Sequence, residues 1–78
     1  MHRDIKADNI LCSMTDGSYL KIKLADFGFA TKFDNEKKNN ASIGTSTFMA
    51  PEICNKEVYD EKIDVWAVGI LYFLLLSG

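Results

Sequence analysis

The first ten residues carry a dense group of polar and ionisable side chains, in a short loop ahead of the first segment with strand character. These residues are His2, Arg3, Asp4, Lys6, Asp8 and Asn9. Burying so many polar groups together costs free energy unless they are paired with one another or act together. We therefore expect this loop to be a site in which side chains are positioned for chemistry.

The residues that follow the loop predict a β-hairpin. Residues 10–12 and 20–24 are two short runs rich in apolar side chains, and the second alternates apolar with charged residues, as a half-buried strand does. Asp16 and Gly17 supply the turn signal between the runs. The ends of a hairpin lie side by side, so the residues before the first strand must approach those after the second.

A second acid, Asp26, follows the predicted hairpin, and Phe27 and Gly28 come directly after it. The hairpin therefore places Asp26 near Asn9 and Asp4. Carboxylate and amide oxygens gathered at one place suit a hard cation such as Mg²⁺, which also leaves positions for phosphate oxygens. The residues alone thus predict an oxygen-rich site for a metal ion and a phosphate group.

Three motifs resemble those of protein kinases. Residues 2–9 resemble the catalytic loop, residues 26–28 resemble the metal-binding turn, and residues 50–52 resemble the end of the activation segment that follows this turn. Residues 64–69 are similar to the helix that comes next in kinases. Because all four occur in family order across the whole chain, the sequence is identified as a eukaryotic-type serine/threonine protein kinase.

The resemblance implies catalytic roles for four residues and the use of ATP and Mg²⁺. Asp4 corresponds to the catalytic base that orients the substrate hydroxyl and accepts its proton. Lys6 would contact the transferred phosphate as a point charge. Asn9 and Asp26 would hold the metal ions and so contribute to binding the nucleotide.

The same resemblance implies a substrate class and a regulatory arginine. Lys6 together with Thr45 is similar to the serine/threonine pattern, so the expected partner is a protein substrate with a serine or threonine hydroxyl. Arg3 corresponds to the arginine that pairs with a phosphorylated activation segment. Ala41 stands where many kinases carry the phosphorylated hydroxyl. Either the adjacent Ser42 replaces it or no such switch is needed.

Other residues of the motifs have structural roles in kinases. His2 and Phe27 would stack, with Asp64 anchoring them from the helix, and Gly28 would add flexibility after Phe27. Glu52 would pair with an arginine beyond this chain. The hairpin length and residues 26–30 and 59–62 are most similar to the calcium/calmodulin-dependent and calcium-dependent kinases.

The expected fold is α+β, as part of the large lobe of the protein kinase fold. Residues 35–40 are polar and predict an exposed loop, and residues 44–51 predict irregular structure before a short helical segment near 52–56. A helix over 63–76, after Asp60 and Glu61 and ending near Gly78, is apolar on almost every side. We therefore expect it to be buried, with Trp66 and Tyr72 as core aromatic residues.

Composition and charge narrow the function classes. The 78 residues allow at most one domain, and 9 basic against 11 acidic residues give a net charge of −2, which indicates neither nucleic acid nor an anionic membrane as a partner. Cys12 and Cys54 are 42 positions apart and predict half-buried free thiols in an intracellular, cytoplasmic compartment. The run 65–76 is shorter than the roughly 20 residues of a membrane-spanning helix. Its length and Asp64 oppose a membrane-associated peptide.

A glycine-rich phosphate loop, a strand lysine with its glutamate partner and a hinge have no counterpart in the sequence. We therefore expect residues 1–78 to be a partial protein kinase domain without its N-terminal ATP-binding lobe, and to be inactive by themselves. The alternative is a non-catalytic truncated kinase or pseudokinase fragment that acts through protein interaction, by exposing its apolar helix to a partner.

Overall fold

The computed structural model describes residues 1–15, 17, 19–32 and 40–78 of the chain. Within these residues the fold is α+β, as expected, with one antiparallel two-stranded sheet and two α-helices. The elements are a first 3-10 turn (Ala7–Asn9), β1 (Ile10–Thr15), β2 (Tyr19–Leu24), a second 3-10 turn (Ser46–Phe48), α1 (Pro51–Cys54) and α2 (Lys62–Ser77).

The predicted hairpin is confirmed and is longer than the sequence indicated. Ile10 pairs with Leu24 and Met14 with Leu20, in antiparallel register. Gly17 has a φ of 74°, in the left-handed region that glycine adopts without steric cost. Asp16, the other half of the predicted turn, lies outside the described residues. The pairing brings the start of β1 beside the end of β2, as was expected from the predicted proximity of Asn9 and Asp26.

The segment before α1 is more regular than its composition indicated. Ser46–Phe48 forms a 3-10 turn, so the expectation of irregular structure over 44–51 is wrong at these residues. The Phe48 N–H donates to the Thr45 carbonyl oxygen at 2.9 Å. This turn therefore supplies an acceptor within the segment for a backbone N–H group that would otherwise need one elsewhere. Of the polar stretch 35–40, only Asn40 lies within the described residues, and it is exposed.

A small core lies between the activation segment and the helices. It is formed by Ala50, Ile53, Tyr59 and Ile63, with Met1 and Met49 packed against it. The helix predicted near 52–56 is α1. It begins one residue before the predicted start, because Pro51 suits the first position of a helix. Beyond the end of α1, Lys56 has a left-handed φ of 58°.

The ends of α2 agree with the sequence signals. The Lys62 N–H donates to the Asp60 carboxylate at 2.9 Å, which satisfies one of the N–H groups that a helix start leaves without a partner. At the other end, Gly78 has a φ of 89° and its N–H donates to the Leu74 carbonyl oxygen at 3.1 Å. A left-handed residue after the last helical turn is a common way to end a helix.

The burial of α2 differs from the expectation. Only Ile63 and Ala67 of this helix are buried, and the predicted core aromatics Trp66 and Tyr72 are exposed. The described part of the chain supplies no second layer over the rest of the helix, so its hydrophobicity is not matched by burial. Among the described residues, no helix is both long and apolar enough to cross a membrane.

The two cysteines also differ from the expectation. Cys12 and Cys54 are free, as predicted, but exposed instead of half-buried. Cys12 lies on a two-stranded sheet and Cys54 is the last residue of α1. Both elements are too small to cover these thiols in the described structure.

Candidate active site

The carboxylate of Asp4 lies at the centre of the site, and the side chain is only 8% exposed. One carboxylate oxygen, Oδ2, accepts a hydrogen bond from Asn9 Nδ2 at 3.2 Å, and the other, Oδ1, accepts one from Thr45 Oγ1 at 3.0 Å. Asn9 Nδ2 also donates to the Asp4 backbone carbonyl oxygen at 2.7 Å. A buried carboxylate with a donor on each oxygen is held in one orientation.

Asn9 is positioned by the first 3-10 turn and by the hairpin. Its N–H donates to the Lys6 carbonyl oxygen at 3.0 Å, and its own carbonyl oxygen accepts from the Ala25 N–H at 2.8 Å. Lys6 precedes the turn with an extended backbone and is half-buried. Asn9 therefore joins the loop that carries Asp4 to the end of the hairpin.

Asp26 follows the hairpin in an unusual backbone conformation. Its φ is 56°, a left-handed value that aspartate adopts more readily than most residues. Its Oδ1 accepts a hydrogen bond from the Gly28 N–H at 3.2 Å. A Cβ atom at Gly28 would lie 3.1 Å from the same oxygen, so the absence of a side chain there lets the turn close around the carboxylate.

The register of the hairpin sets Asp26 beside Asn9. Ala25 bonds to Asn9, and Asp26 is the next residue along the chain. The structure therefore places these two sequence-predicted residues at the same end of the hairpin. Asp26 is exposed, whereas Asn9 and Asp4 are buried.

The donors at this end of the hairpin suit one kind of metal site. No group of three histidine, cysteine, aspartate or glutamate residues able to hold a metal is present in the ranges that the structure describes. Since Asn9 uses its amide nitrogen on Asp4, its amide oxygen and the Asp26 carboxylate are the atoms that could coordinate a cation. Mg²⁺ binds in this way, through one or two carboxylates completed by water and phosphate oxygens.

The ring of His2 connects the loop to the hairpin. Nδ1 accepts from the Asp4 N–H at 3.1 Å, and Nε2 lies 2.8 Å from the Ala25 carbonyl oxygen. A carbonyl only accepts, so these partners assign the proton to Nε2. The ring also contacts Phe27 edge to face, with ring centroids 4.9 Å apart and an interplanar angle of 65°.

Asp64, in the first turn of α2, holds the backbone of the loop. Its Oδ2 accepts from the His2 N–H at 2.8 Å and its Oδ1 accepts from the Arg3 N–H at 3.0 Å. Arg3 has a φ of 70°, a conformation that costs about 1–2 kcal/mol for a residue with a side chain. Charge-assisted bonds from Asp64 help to offset this cost.

The side chain of Arg3 contacts the start of the activation segment directly and a later part of it through Tyr59, which follows the segment. Its Nε donates to the Phe29 carbonyl oxygen at 2.6 Å, and its Nη1 donates to the Tyr59 hydroxyl at 3.1 Å. That hydroxyl in turn donates to the Ala41 carbonyl oxygen at 2.7 Å. Sequence reasoning gave Tyr59 no role, because the only signal was its place in a family-like phrase.

The remaining sequence-predicted residues lie around this centre. Thr45 is half-buried and contacts Asp4 directly, whereas Ser42 is exposed. Glu52 is half-buried in the first turn of α1. The structure thus brings together most of the predicted residues at the start of the chain, and it leaves Ser42 at the surface.

Comparison with known proteins agrees with these motifs. Residues 1–78 match the family model described as protein kinase domain. The chain is 46% identical to the serine/threonine-protein kinase pakA of Talaromyces marneffei, over 100% of this chain and 12% of that protein. It is 44% identical to the serine/threonine-protein kinase ste20 of Aspergillus fumigatus, over 100% of this chain and 9% of that protein.

A protein named as a calcium-dependent kinase is also similar over the whole of this chain. The calcium-dependent protein kinase 4 of Plasmodium falciparum is 41% identical, over 100% of this chain and 15% of that protein. The chain therefore covers less than a sixth of the length of each of these relatives.

Proposed function

Because the chain belongs to the protein kinase domain family, we propose that it forms the catalytic-loop and activation-segment part of a serine/threonine protein kinase. The reaction is the transfer of the γ-phosphoryl group of ATP to a serine or threonine hydroxyl of a protein substrate. The observation that carries this proposal is the buried Asp4 carboxylate, fixed by Asn9 on one oxygen and by Thr45 on the other.

Asp4 acts as the catalytic base. A substrate hydroxyl donates its hydrogen to the carboxylate, which orients the oxygen. The carboxylate accepts the proton as the bond from this oxygen to the γ-phosphorus forms and the bond from that phosphorus to the bridging oxygen breaks, so that ADP leaves. Because both carboxylate oxygens are held by fixed donors, the base does not need to reorganise during the reaction. Positioning matters most here, since the transition state of phosphoryl transfer is loose.

Asn9 and Asp26 would hold Mg²⁺, and Lys6 would contact the transferred phosphate. When bound, the metal neutralises the charge that develops on the phosphate oxygens. The chain contributes a fixed amide oxygen from Asn9, whose nitrogen is held by Asp4, and an exposed carboxylate from Asp26. Lys6 stands two residues after the base, in the same loop.

Thr45 supports the choice of a serine or threonine hydroxyl as acceptor. Its position after Gly44, together with Lys6 two residues after Asp4, resembles the serine/threonine kinase pattern, and its hydroxyl donates to Asp4. Arg3 is proposed as the regulatory arginine of the activation segment, and Ser42 as a candidate phosphorylation site. Glu52 is proposed to form an ion pair with an arginine outside residues 1–78. We assign the protein to the cytoplasm because Cys12 and Cys54 are free and 42 positions apart, which suits a reducing intracellular compartment.

A second candidate function is a non-catalytic interaction through α2. The apolar side chains of this helix are exposed from Val65 to Leu76, apart from the buried Ala67 and the half-buried Ile70 and Leu71. Contiguous exposed apolar surface of this kind marks a site that another protein or another part of the same protein covers. This function requires no phosphoryl transfer.

The test is phosphotransfer from ATP to a generic serine/threonine peptide, by the protein encoded in the full open reading frame. Asp4→Asn and Asp26→Asn are expected to lose turnover. Asp8→Asn is the matched control, because Asp8 is an exposed acid in the same loop. Turnover that survives in Asp4→Asn would contradict the assignment of the base.

The same assay on the 78-residue chain separates the two candidates further. We expect no turnover from this chain, because in kinases the contacts to adenine and the glycine-rich loop that covers the ATP phosphates are supplied by other residues. If the full open reading frame is also inactive, the non-catalytic function is favoured. If the 78-residue chain turns over and both variants lose activity, these residues are sufficient for catalysis.

A further inference from the structure

We propose that Tyr59 is a positioning residue of the active site, whose hydroxyl orders the activation segment without a phosphate group. The hydroxyl does so by holding the Arg3 guanidinium and the backbone at Ala41 together. This inference rests on the proposed kinase function and adds to it a means of regulation. It concerns a residue to which the kinase motifs of the sequence gave no role.

The ring of Tyr59 is fixed by the core. The residue is 6% exposed and packs in the cluster of Ala50, Ile53 and Ile63. A buried aromatic ring has few rotamers, so its hydroxyl is held at one point in space. The hydroxyl therefore offers a rigid attachment point at the edge of the core.

Both hydrogen-bonding functions of this hydroxyl are used. It accepts from Arg3 Nη1 at 3.1 Å and donates to the Ala41 carbonyl oxygen at 2.7 Å. A phenol that accepts from a guanidinium is polarised, and its own O–H becomes a better donor. The three groups thus form a short chain from cation to hydroxyl to carbonyl.

Arg3 completes a connection between the two described parts of the activation segment, residues 26–32 and 40–52. Its Nε donates to the Phe29 carbonyl oxygen at 2.6 Å, near the start of the segment. Through Tyr59 it is linked to Ala41, twelve residues later. Neutral oxygens therefore accept from Nε and Nη1, two of the donors with which a guanidinium pairs with an anion such as phosphate.

The connection reaches the catalytic base at two points. Arg3 precedes Asp4 in the sequence, and Thr45, which donates to Asp4 Oδ1, lies four residues after Ala41. Removing the Tyr59 hydroxyl leaves the guanidinium one acceptor short and releases the backbone at Ala41. The segment between Ala41 and Thr45 then loosens, and the base loses part of its orientation.

The experiment compares Tyr59→Phe with Tyr72→Phe in the protein encoded by the full open reading frame, purified without phosphorylation as verified by mass spectrometry. Tyr59→Phe removes one hydroxyl and keeps the buried ring. Tyr72→Phe is the matched control, because Tyr72 is exposed on α2. The first measurement is amide hydrogen exchange over residues 40–49, where the Phe48 and Met49 N–H groups are hydrogen bonded.

Tyr59→Phe is expected to speed exchange at these amides about tenfold, and Tyr72→Phe is expected to leave it unchanged. The second measurement combines Tyr59→Phe with Arg3→Lys. Because the two residues act through one connection, the double variant is expected to exchange no faster than the faster single variant. A merely structural role of the tyrosine would give additive effects.

Three results would overturn the proposal. They are unchanged exchange in Tyr59→Phe, additive effects of the two substitutions, and protection of residues 40–49 that arises only after phosphorylation. None of these measurements requires turnover. Absence of kinase activity in the protein encoded by the full open reading frame would therefore refute the proposed function. The role of Tyr59 would still be decided by amide hydrogen exchange.

Discussion

The backbone carbonyl oxygen of Arg3 lies 2.7 Å from the position that a Cβ atom would occupy at Gly44, which has a φ of +114°. The catalytic loop and the activation segment therefore approach so closely that a side chain at residue 44 has no room. Glycine is required here both for the contact and for the backbone conformation.

Gly44→Ala is expected to separate the two segments and to lower both stability and activity. The backbone conformation alone costs about 1–3 kcal/mol for a residue with a side chain, and the contact with the Arg3 carbonyl adds to it. Thermal unfolding and kcat/KM of the full-length protein measure the effect. Gly69→Ala is the matched control, in the middle of α2, since among the described residues outside the backbone of this helix no atom lies within 4 Å of a Cβ placed there. Equal stability of the two variants would contradict this argument.

Asp64→Ala is expected to destabilise the loop that carries the base. It removes the acceptors of the His2 and Arg3 N–H groups, and hydrogen bonds to a charged group contribute about 1.5–3 kcal/mol each. The free energy of unfolding in urea is the measurement. The control is Glu61→Ala, which removes an exposed acid next to the same helix. If both variants lose the same stability, the effect belongs to the helix and not to the loop.

Thr45→Val is expected to lower kcat/KM about tenfold, because it removes one hydrogen bond to the carboxylate of Asp4, the proposed base, and keeps the shape of the side chain. Thr45→Ser restores the donor and is expected to retain most of the activity. Thr47→Val controls for the same substitution at an exposed residue in the second 3-10 turn. A fall in activity that serine does not rescue would count against the role of the hydroxyl.

Leu75→Lys is expected to reduce self-association of the 78-residue chain. Leu75 is 73% exposed and lies among other exposed apolar residues of α2, which favour association in water. Light scattering as a function of concentration measures the change. Ser77→Lys adds the same charge to the same helix without removing an apolar group. If both variants scatter equally, the reduced self-association would be caused by the added lysine charge and not by the loss of the leucine side chain.

The sequence was informative where the interactions are local or where a motif is contiguous. Alternation of apolar and charged residues predicted the hairpin, and the acids at 60 and 61 with the glycine at 78 predicted the ends of α2. The family motifs named Asp4, Asn9 and Asp26. These features depend on residues close together in the chain, so their pattern can be read directly.

The features that the sequence did not predict join distant residues or depend on what packs against an element. The hydrogen bond between Arg3 and Tyr59 spans 56 positions, and no spacing rule relates a guanidinium to one particular tyrosine hydroxyl. The hydrophobic pattern of α2 predicted burial, but burial depends on what packs against a helix as well as on its composition. For the same reason Cys12, Cys54, Trp66 and Tyr72 proved more exposed than expected.

The hydrogen bond between Asp64 and His2, 62 positions apart, has a consequence for synthesis on the ribosome. The loop that carries Asp4 leaves the ribosome before α2, but the carboxylate that accepts from its backbone N–H groups belongs to that later helix. At about 5–20 residues per second, translation of the intervening chain takes about 3–12 seconds. During this interval the His2 and Arg3 N–H groups of the nascent loop lack the Asp64 carboxylate as acceptor. The hydrogen bonds from His2 and Arg3 to Asp64 therefore form only after the first turn of α2 has emerged.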